Sequence, residues 1–186
     1  MIYSNIDIIS KVEAGSITIA NYSDECMRPS SYLLRMDKKI FRIKKTESLI
    51  DTKHTDTSVF FDEIDLDDNG IIIHPGEFVL ASSVEMISLD HTVCAELYQL
   101  SCYARIGLGV NFSSCHVAAS FGENKPSSIT FEIINNSCNS IKIYPGVKFC
   151  HLRFHDHVTP ATKTYNGIYS EKKEAMPANF ALKPAR

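Results

Sequence analysis

The apolar positions of this chain change period once, early. In residues 5–14, "NIDIISKVEA", Ile6, Ile9 and Val12 recur at helical spacing, with Ser4 or Asn5 placed to cap and Gly15 to stop. That predicts one short N-terminal helix. Beyond it the pattern breaks into short β-rich runs: "SITIA", "SYLLRM", "KIFRI", "SVFF", "GIIIHP", "EFVLASSVEMISL", "IGLGVNF", "SITFEIIN", "SIKIYPG" and "KFCHLRF". Turn chemistry separates them, at Asp68-Asn69-Gly70, Pro75-Gly76, Asn135-Asn136-Ser137 and Pro145-Gly146. Many short strands with frequent turns predict a mainly β barrel or sandwich, not a parallel sheet with crossover helices.

Two segments stand apart from this pattern. Residues 46–69 are polar and acidic and read as an exposed excursion. Their "DEIDLDDNG" lacks the spacing and closing Glu of an EF-hand, so a solvated acidic turn is expected. After Pro160 the apolar pattern fades into a tail, 160–186, that is either disordered or closes over a site. With no internal repeat and no linker, residues 1–186 read as a single domain.

Composition adds mainly exclusions. At 186 residues, 44% hydrophobic and 22% charged, the chain is an ordinary globular sequence with enough apolar material for one core. A net charge of −3 gives no reason to expect a nucleic-acid or membrane partner. No apolar run is long enough to span a bilayer and the N-terminus lacks a signal-peptide layout, which points to a cytoplasmic protein. The six cysteines contain no C-x-x-C pair and read mostly as buried free thiols. In "CHLRFHDHV", His155 and His157 would share one face of a strand; without a Cys or carboxylate at ligand spacing, no metal is expected there.

Standard catalytic signatures are missing, including the Walker A loop, G-x-G-x-x-G, G-x-S-x-G and the zinc-deaminase pattern H-x-E…P-C-x-x-C. What remains is Ser101 and Arg105 in "SCYARIGLGV", at the start of an apparently buried strand, and Glu132 in "SSITFEIIN". In β geometry Ile129, Phe131 and Ile133 face one way and Thr130, Glu132 and Ile134 the other. A carboxylate in so apolar a strand must be paired, solvated or partly protonated. Two readings stay open on spacing alone. One is a structural Arg–Glu pair; the other is an acid/base Glu132 with Arg105 and Ser101 as positioning groups.

A resemblance bears on that choice. "IIIHPGEFVLASSVEMISL" resembles the strand pair of dCTP deaminases, and "IDIISKVEAGSITI" followed by "RPSSYLLRM" their opening helix and P-x-S-Y-D-L-R-L segment. "SCYARIGLGV" resembles their S-S-x-A-R-x-G, "ITFEIIN" the strand bearing their catalytic Glu, "IKIYPGVKFCHLRF" their closing strands and "YNGIY" their tail motif Y-x-G-K-Y. The pieces lie in family order along nearly the whole chain. The resemblance implies a distorted β-barrel, jelly-roll-like fold of the dUTPase type, and a homotrimer with sites between subunits. It also implies zinc-independent hydrolysis of the 4-amino group of dCTP to give dUTP and ammonia, with Mg²⁺ accompanying the triphosphate and no cofactor for the chemistry. By resemblance Glu132 shuttles protons, and Ser101 and Arg105 hold water and developing charge. Backbone groups around Ile129 and Thr130 read the base, Phe121 lies by the sugar, and Tyr165, Tyr169 and Lys172 belong to the tail's substrate contacts.

The departures cluster on recognition. The family's Arg before S-S is Leu100, its second Ser is Cys102, and the Asp of P-x-S-Y-D-L-R-L is Leu33. Its I-D-P-G, whose Asp helps hold the deoxyribose, reads "VAAS" with Ala118 at the carboxylate position, followed by a short insertion, "GENKP". The tail Lys is Ile168, and Lys172 holds the following Gln position. Each lost charge-assisted phosphate contact costs about 1.5–3 kcal/mol. Three readings follow: a dCTP deaminase that grips phosphate with other cations such as Lys125, Lys172 or Lys173; a deaminase of a deoxycytidine nucleotide with fewer phosphates or a modified base; or a non-catalytic nucleotide-binding relative. A dUTPase-type hydrolase fits less well, because its water-activating aspartate belongs where "VAAS" stands.

Overall fold

Ser4 begins the N-terminal helix with a capping box: its hydroxyl accepts from the Asp7 amide, and the Asp7 carboxylate accepts from the Ser4 N–H at 2.8 Å. The structure, a computed structural model, describes residues 1–110, 114–167 and 173–182. Helix α1 (Asn5–Glu13) stops at Ala14 and a left-handed Gly15. Its inner face differs from the expected one. Ile8 is fully buried and Val12 packs against the core, while Ile6 and Ile9 stay exposed. The chain entry sets this rotation, because the Tyr3 amide donates to the Phe154 carbonyl at 3.1 Å and the Asn5 amide to the Pro29 carbonyl at 2.9 Å.

The remaining elements are β1 (Ile17–Ala20), β2 (Met27–Arg28), β3 (Ser31–Ile43), β4 (Phe61–Asp65), β5 (Ile71–Ile73), β6 (Phe78–Leu89), β7 (Val93–Gln99), a one-turn helix α2 (Ser101–Ala104), β8 (Leu108–Val110), β9 (His116–Val117), β10 (Ser127–Asn135), β11 (Ile141–Ile143) and β12 (Lys148–Asp156). Ten strands make one antiparallel sheet, ordered β8-β10-β6-β3-β12-β7-β9, with β1 on β6 and both β2 and β4 on β3; β11 and β5 pair separately. The sheet curls because β3 changes partners along its length. Its first half pairs β12, and its second half pairs β4 and β6 across a register shift between Met36 and Ile40. The runs "SYLLRM" and "KIFRI" are therefore one strand, and Asp37-Lys38-Lys39 is an irregularity within it. The mainly β, half-barrel architecture agrees with the expected fold.

Other expectations need correction. Strand β7 was not among the expected runs: it buries Val93, Ala95 and Leu97, but its Ala95 and Glu96 are poor strand formers. "SVFF" divides into a 3-10 turn (Thr57–Phe60) and the start of β4. The 46–69 excursion is not wholly exposed: Thr57, Phe60 and Leu66 are buried, and β4 is part of the sheet. At its end Asp67 closes its own turn, accepting from the Asn69 amide at 2.9 Å. Of the cysteines only Cys26 and Cys150 are buried; Cys94 is half-buried, and Cys102, Cys115 and Cys138 are exposed. Strand β12 ends at Asp156, so His157 does not share its face, and His155 instead has Nε2 at 3.4 Å from Glu96. No helix among the described residues is long and apolar enough to cross a membrane.

Two polar features sit inside this frame. Fully buried Glu85 accepts from the Arg35 amide at 2.8 Å and from Arg35 Nε at 2.6 Å, and Arg35 Nη2 reaches the Asn21 carbonyl at 2.6 Å. This ties β3, β6 and the end of β1 together. Half-buried His151 shares a hydrogen bond with Ser31 Oγ at 2.9 Å, and burial, then the Arg28 and Arg153 charges, lowers its imidazole below the usual range. The unfolded chain thus binds that proton more readily than the folded one. Stability is full above the ordinary imidazole pKa and is lost as pH falls from there through the depressed value. Urea unfolding at a series of pH values should show this slope, and His151→Gln should flatten it.

Candidate active site

Strand β10 delivers its alternation as expected. Ile129, Phe131 and Ile133 are buried, and Thr130, Glu132 and Ile134 are half-buried on the opposite face. Glu132 stands opposite Leu80 of β6 and lines a cleft of about 520 Å³. Thr130, Ile129 and Ala118 line it too. On one wall the rings of Phe121 and Tyr165 lie 5.7 Å apart, centroid to centroid. Of the residues expected to form a site, Glu132, Thr130, Ile129, Phe121 and Tyr165 are therefore brought together in one chain.

The register of β10 against β6 shifts between Ser128 and Thr130, placing an irregularity at Ile129. The freed Ile129 N–H donates to Ser83 Oγ at 2.9 Å, and that hydroxyl donates to the Glu85 carbonyl at 2.6 Å. The Ile129 donor is thus engaged inside the protein.

Ser101 and Arg105 are elsewhere, and not on a strand. Ser101–Ala104 form α2, Arg105 is its C-cap, and the buried strand starts only at Leu108. The reason is local. Tyr103 turns inward, its ring 4.9 Å from Phe149, while Ser101, Cys102, Ala104 and Arg105 face outward. Gln99 clamps the base of this turn, donating to the Leu108 carbonyl at 2.5 Å and accepting from the Val110 amide at 3.1 Å. Exposed Arg105 takes part in none of the ion pairs among the described residues, and neither it nor Ser101 lines the Glu132 cleft. The intrachain Arg105–Glu132 pair considered from the sequence is not formed. Lys125 and Lys173 are exposed and do not line the cleft either, and Ile168, Tyr169 and Lys172 lie outside the described residues.

Of the two expectations for residues 160–186, disorder or closure over a site, the described part of the tail fits the second. The tail crosses the cleft, with Glu174, Met176, Ala178 and Phe180 among the lining residues. Its fastenings are specific. Ala161 exchanges bonds with His91, N–H to carbonyl at 2.8 Å and Nδ1 to carbonyl at 2.9 Å. The Tyr165 amide donates to Ser120 Oγ. Glu174 pairs with Lys39 at 3.1 Å. The Ala178 carbonyl accepts from the Thr57 amide at 3.0 Å and hydroxyl at 2.5 Å, and the Phe180 amide donates to the Thr55 carbonyl at 2.9 Å. The excursion is thus the far anchor of the tail, and it lends Ile50 and Phe61 to the cleft. His116 of β9 also lines the cleft; a two-residue strand left no periodicity by which to find it.

A half-buried carboxylate in a largely apolar, concave cleft, with polar side chains such as Thr130, His116 and Tyr165 and the tail along it, suits a β-fold enzyme acting on a small molecule. The chain belongs to the dCTP deaminase-like family, whose model matches residues 2–157. It is 30% identical over 172 residues to a dUMP-forming dCTP deaminase of Streptomyces coelicolor, covering 89% of this chain and 85% of that one. It is 29% identical over 182 residues to the protein of the same name from Persephonella marina, covering 98% of each. Among solved structures it resembles the 2'-deoxycytidine 5'-triphosphate deaminase of Agrobacterium tumefaciens, with a TM-score of 0.64 and 17% identity. That match covers 84% of this chain but 48% of the other, so the chain spans about half of that longer protein, and the likeness supports the fold.

Proposed function

We propose that this protein is a hydrolytic deaminase of dCTP, with Glu132 as its acid/base. The observation that carries the reading is Glu132 half-buried in an apolar cleft beside Thr130, Phe121 and Tyr165. Family membership supplies the substrate class: its relatives are named dCTP deaminases. Water adds across C4=N3 of cytosine. Glu132 takes a proton from that water and passes it to N3, then moves the proton of the new hydroxyl to the amino group, so that ammonia leaves and C4=O forms. One carboxylate carries each proton transfer. Mg²⁺ belongs to the substrate, entering on the triphosphate.

The charge that steadies the developing negative oxygen is Arg105, with Ser101 holding the water. Both are exposed on α2, and neither lines their own chain's Glu132 cleft. We assign them to the cleft of a neighbouring subunit in a homotrimer, with one site at each interface. The enzyme works on the free nucleotide pool of the cytoplasm.

The product separates two versions of this reading. Ala118 in the cleft offers no carboxylate to activate a second water, which favours release of dUTP. The names of the relatives favour dUMP, reached by a further cleavage between the α- and β-phosphates. The experiment is ammonia release from dCTP, dCDP, dCMP, deoxycytidine and CTP with Mg²⁺, with products resolved by anion-exchange chromatography. Turnover with dUTP or with dUMP plus pyrophosphate decides between the versions. Glu132→Gln should reduce turnover by about 10²–10⁴-fold at unchanged fold. Wild-type silence on all five substrates alongside nucleotide binding would replace the reading with that of a non-catalytic relative.

A further inference from the structure

The turn from Ala118 to Gly122 forms one wall of the Glu132 cleft, and it contains an apparent mistake. Among the described residues only Asn21 and Ser120 combine a side chain with positive φ, 62° for Ser120. A Cβ disfavours that conformation, and glycine is the residue that adopts it freely. Two positions further on, the same turn does use glycine. Gly122 has φ +67°, and a Cβ there would lie 2.3 Å from the Ile87 carbonyl oxygen. The turn itself is held by backbone: Ser120 N–H to the Asp90 carbonyl at 3.0 Å, Phe121 N–H to the Ala118 carbonyl at 3.2 Å, and Leu89 N–H to the Phe121 carbonyl at 2.9 Å. None of these bonds needs a hydroxyl. A glycine at 120 would keep them all and remove the strain.

What a glycine would lose is the hydroxyl of Ser120, a residue 2% exposed, which accepts from the Tyr165 amide of the C-terminal tail. That bond fixes the tail where the Tyr165 ring meets Phe121, and both rings line the cleft with Glu132. Strained backbone retained beside a cleft argues for a role there. We propose that Ser120 is a positioning residue: its hydroxyl latches the tail at Tyr165, setting that ring on the cleft wall so that nucleotide is bound more tightly without contact between Ser120 and the reacting atoms. The inference rests on the reading of the cleft as the nucleotide site.

Two variants separate a latch from a merely structural serine. Ser120→Ala keeps the strain and loses the acceptor; Ser120→Gly loses both. Hydrogen exchange of the unliganded protein, resolved over residues 162–167, should accelerate about tenfold in both variants. Melting should fall in Ser120→Ala but hold or rise in Ser120→Gly. In Ser120→Gly the KM for dCTP should rise about tenfold with kcat changed less than about twofold, the signature of lost binding, not lost chemistry. A structural serine predicts the reverse for that variant, a sound protein with wild-type tail protection and KM. Unchanged exchange at Tyr165 overturns the latch, and faster exchange with unchanged KM overturns its role in binding. Because exchange is read without substrate, a wild-type enzyme that turns over nothing sinks the proposed function while the latch is still judged by its protection.

Discussion

Glu132→Gln and Arg105→Ala subunits, each nearly inactive as pure preparations, are expected to regain turnover when co-expressed. Separately, the first loses about 10²–10⁴-fold with its proton carrier, and the second about 10²–10³-fold with its fixed cation. The recovery follows from where the two groups sit. Glu132 lines its own chain's cleft, whereas Arg105 caps an exposed turn that Gln99 and Tyr103 hold outward. If each site takes Glu132 from one subunit and Arg105 from the next, a one-to-one statistical mixture leaves about one site in four with both groups intact. Roughly a quarter of wild-type activity is therefore the expected yield, and tagged co-purification would confirm that the subunits mixed. Activity that stays at the level of the separate variants, in demonstrably mixed oligomers, would remove Arg105 from the neighbour's chemistry.

Arg35→Ala should be the most damaging single change to the frame. Arg35 is partly exposed, but its partner Glu85 is not exposed at all, so truncation leaves a carboxylate with no counter-charge in the core. Breaking a buried pair from one side costs about 3–5 kcal/mol. For a chain of this size that corresponds to a melting temperature lower by about 10 °C. The cost lies in the orphaned charge, so Arg35→Met combined with Glu85→Leu should recover most of it. Urea unfolding at fixed protein concentration measures both variants. A loss below about 1 kcal/mol for Arg35→Ala would show that water or rearrangement already relieves Glu85.

Much of this molecule was legible because alternation is a direct consequence of β geometry. The two faces of 129–134 fell as read, and Glu132 came out half-buried in an apolar setting. Failures occurred where side-chain identity stops reporting on environment. Val93–Gln99 buries Val93, Ala95 and Leu97 in alternation, but its Ala95 and Glu96 are poor strand formers, so it does not look like a strand. Asp37-Lys38-Lys39 looks like a turn but is an irregularity within β3, since a register shift needs no turn residue. Arg105 looked buried because Ile106 and Leu108 follow it; the helical turn that exposes it depends on Gln99 and Phe149, contacts that spacing does not reveal. The tail was legible only as a choice between disorder and closure, for a related reason. The closure is built from pairing between two polar segments, each of which alone reads as solvated. Leu33 shows the opposite case. Where the resemblance places an aspartate, the structure has a core leucine in register with His151, so that departure is accommodated by packing.

The bond from Thr57 to the Ala178 carbonyl joins positions 121 residues apart in sequence. It makes two segments that share no catalytic group hereditary partners. A substitution in the excursion would be scored in a screen as a defect of substrate affinity, although it touches no proton-transfer residue. Grafting a relative's tail onto this chain without the matching excursion should fail for the same reason. In descent, residues 55–57 and 178–180 are expected to drift as one unit, at a pace set by their fit to each other and not by the reaction beneath them.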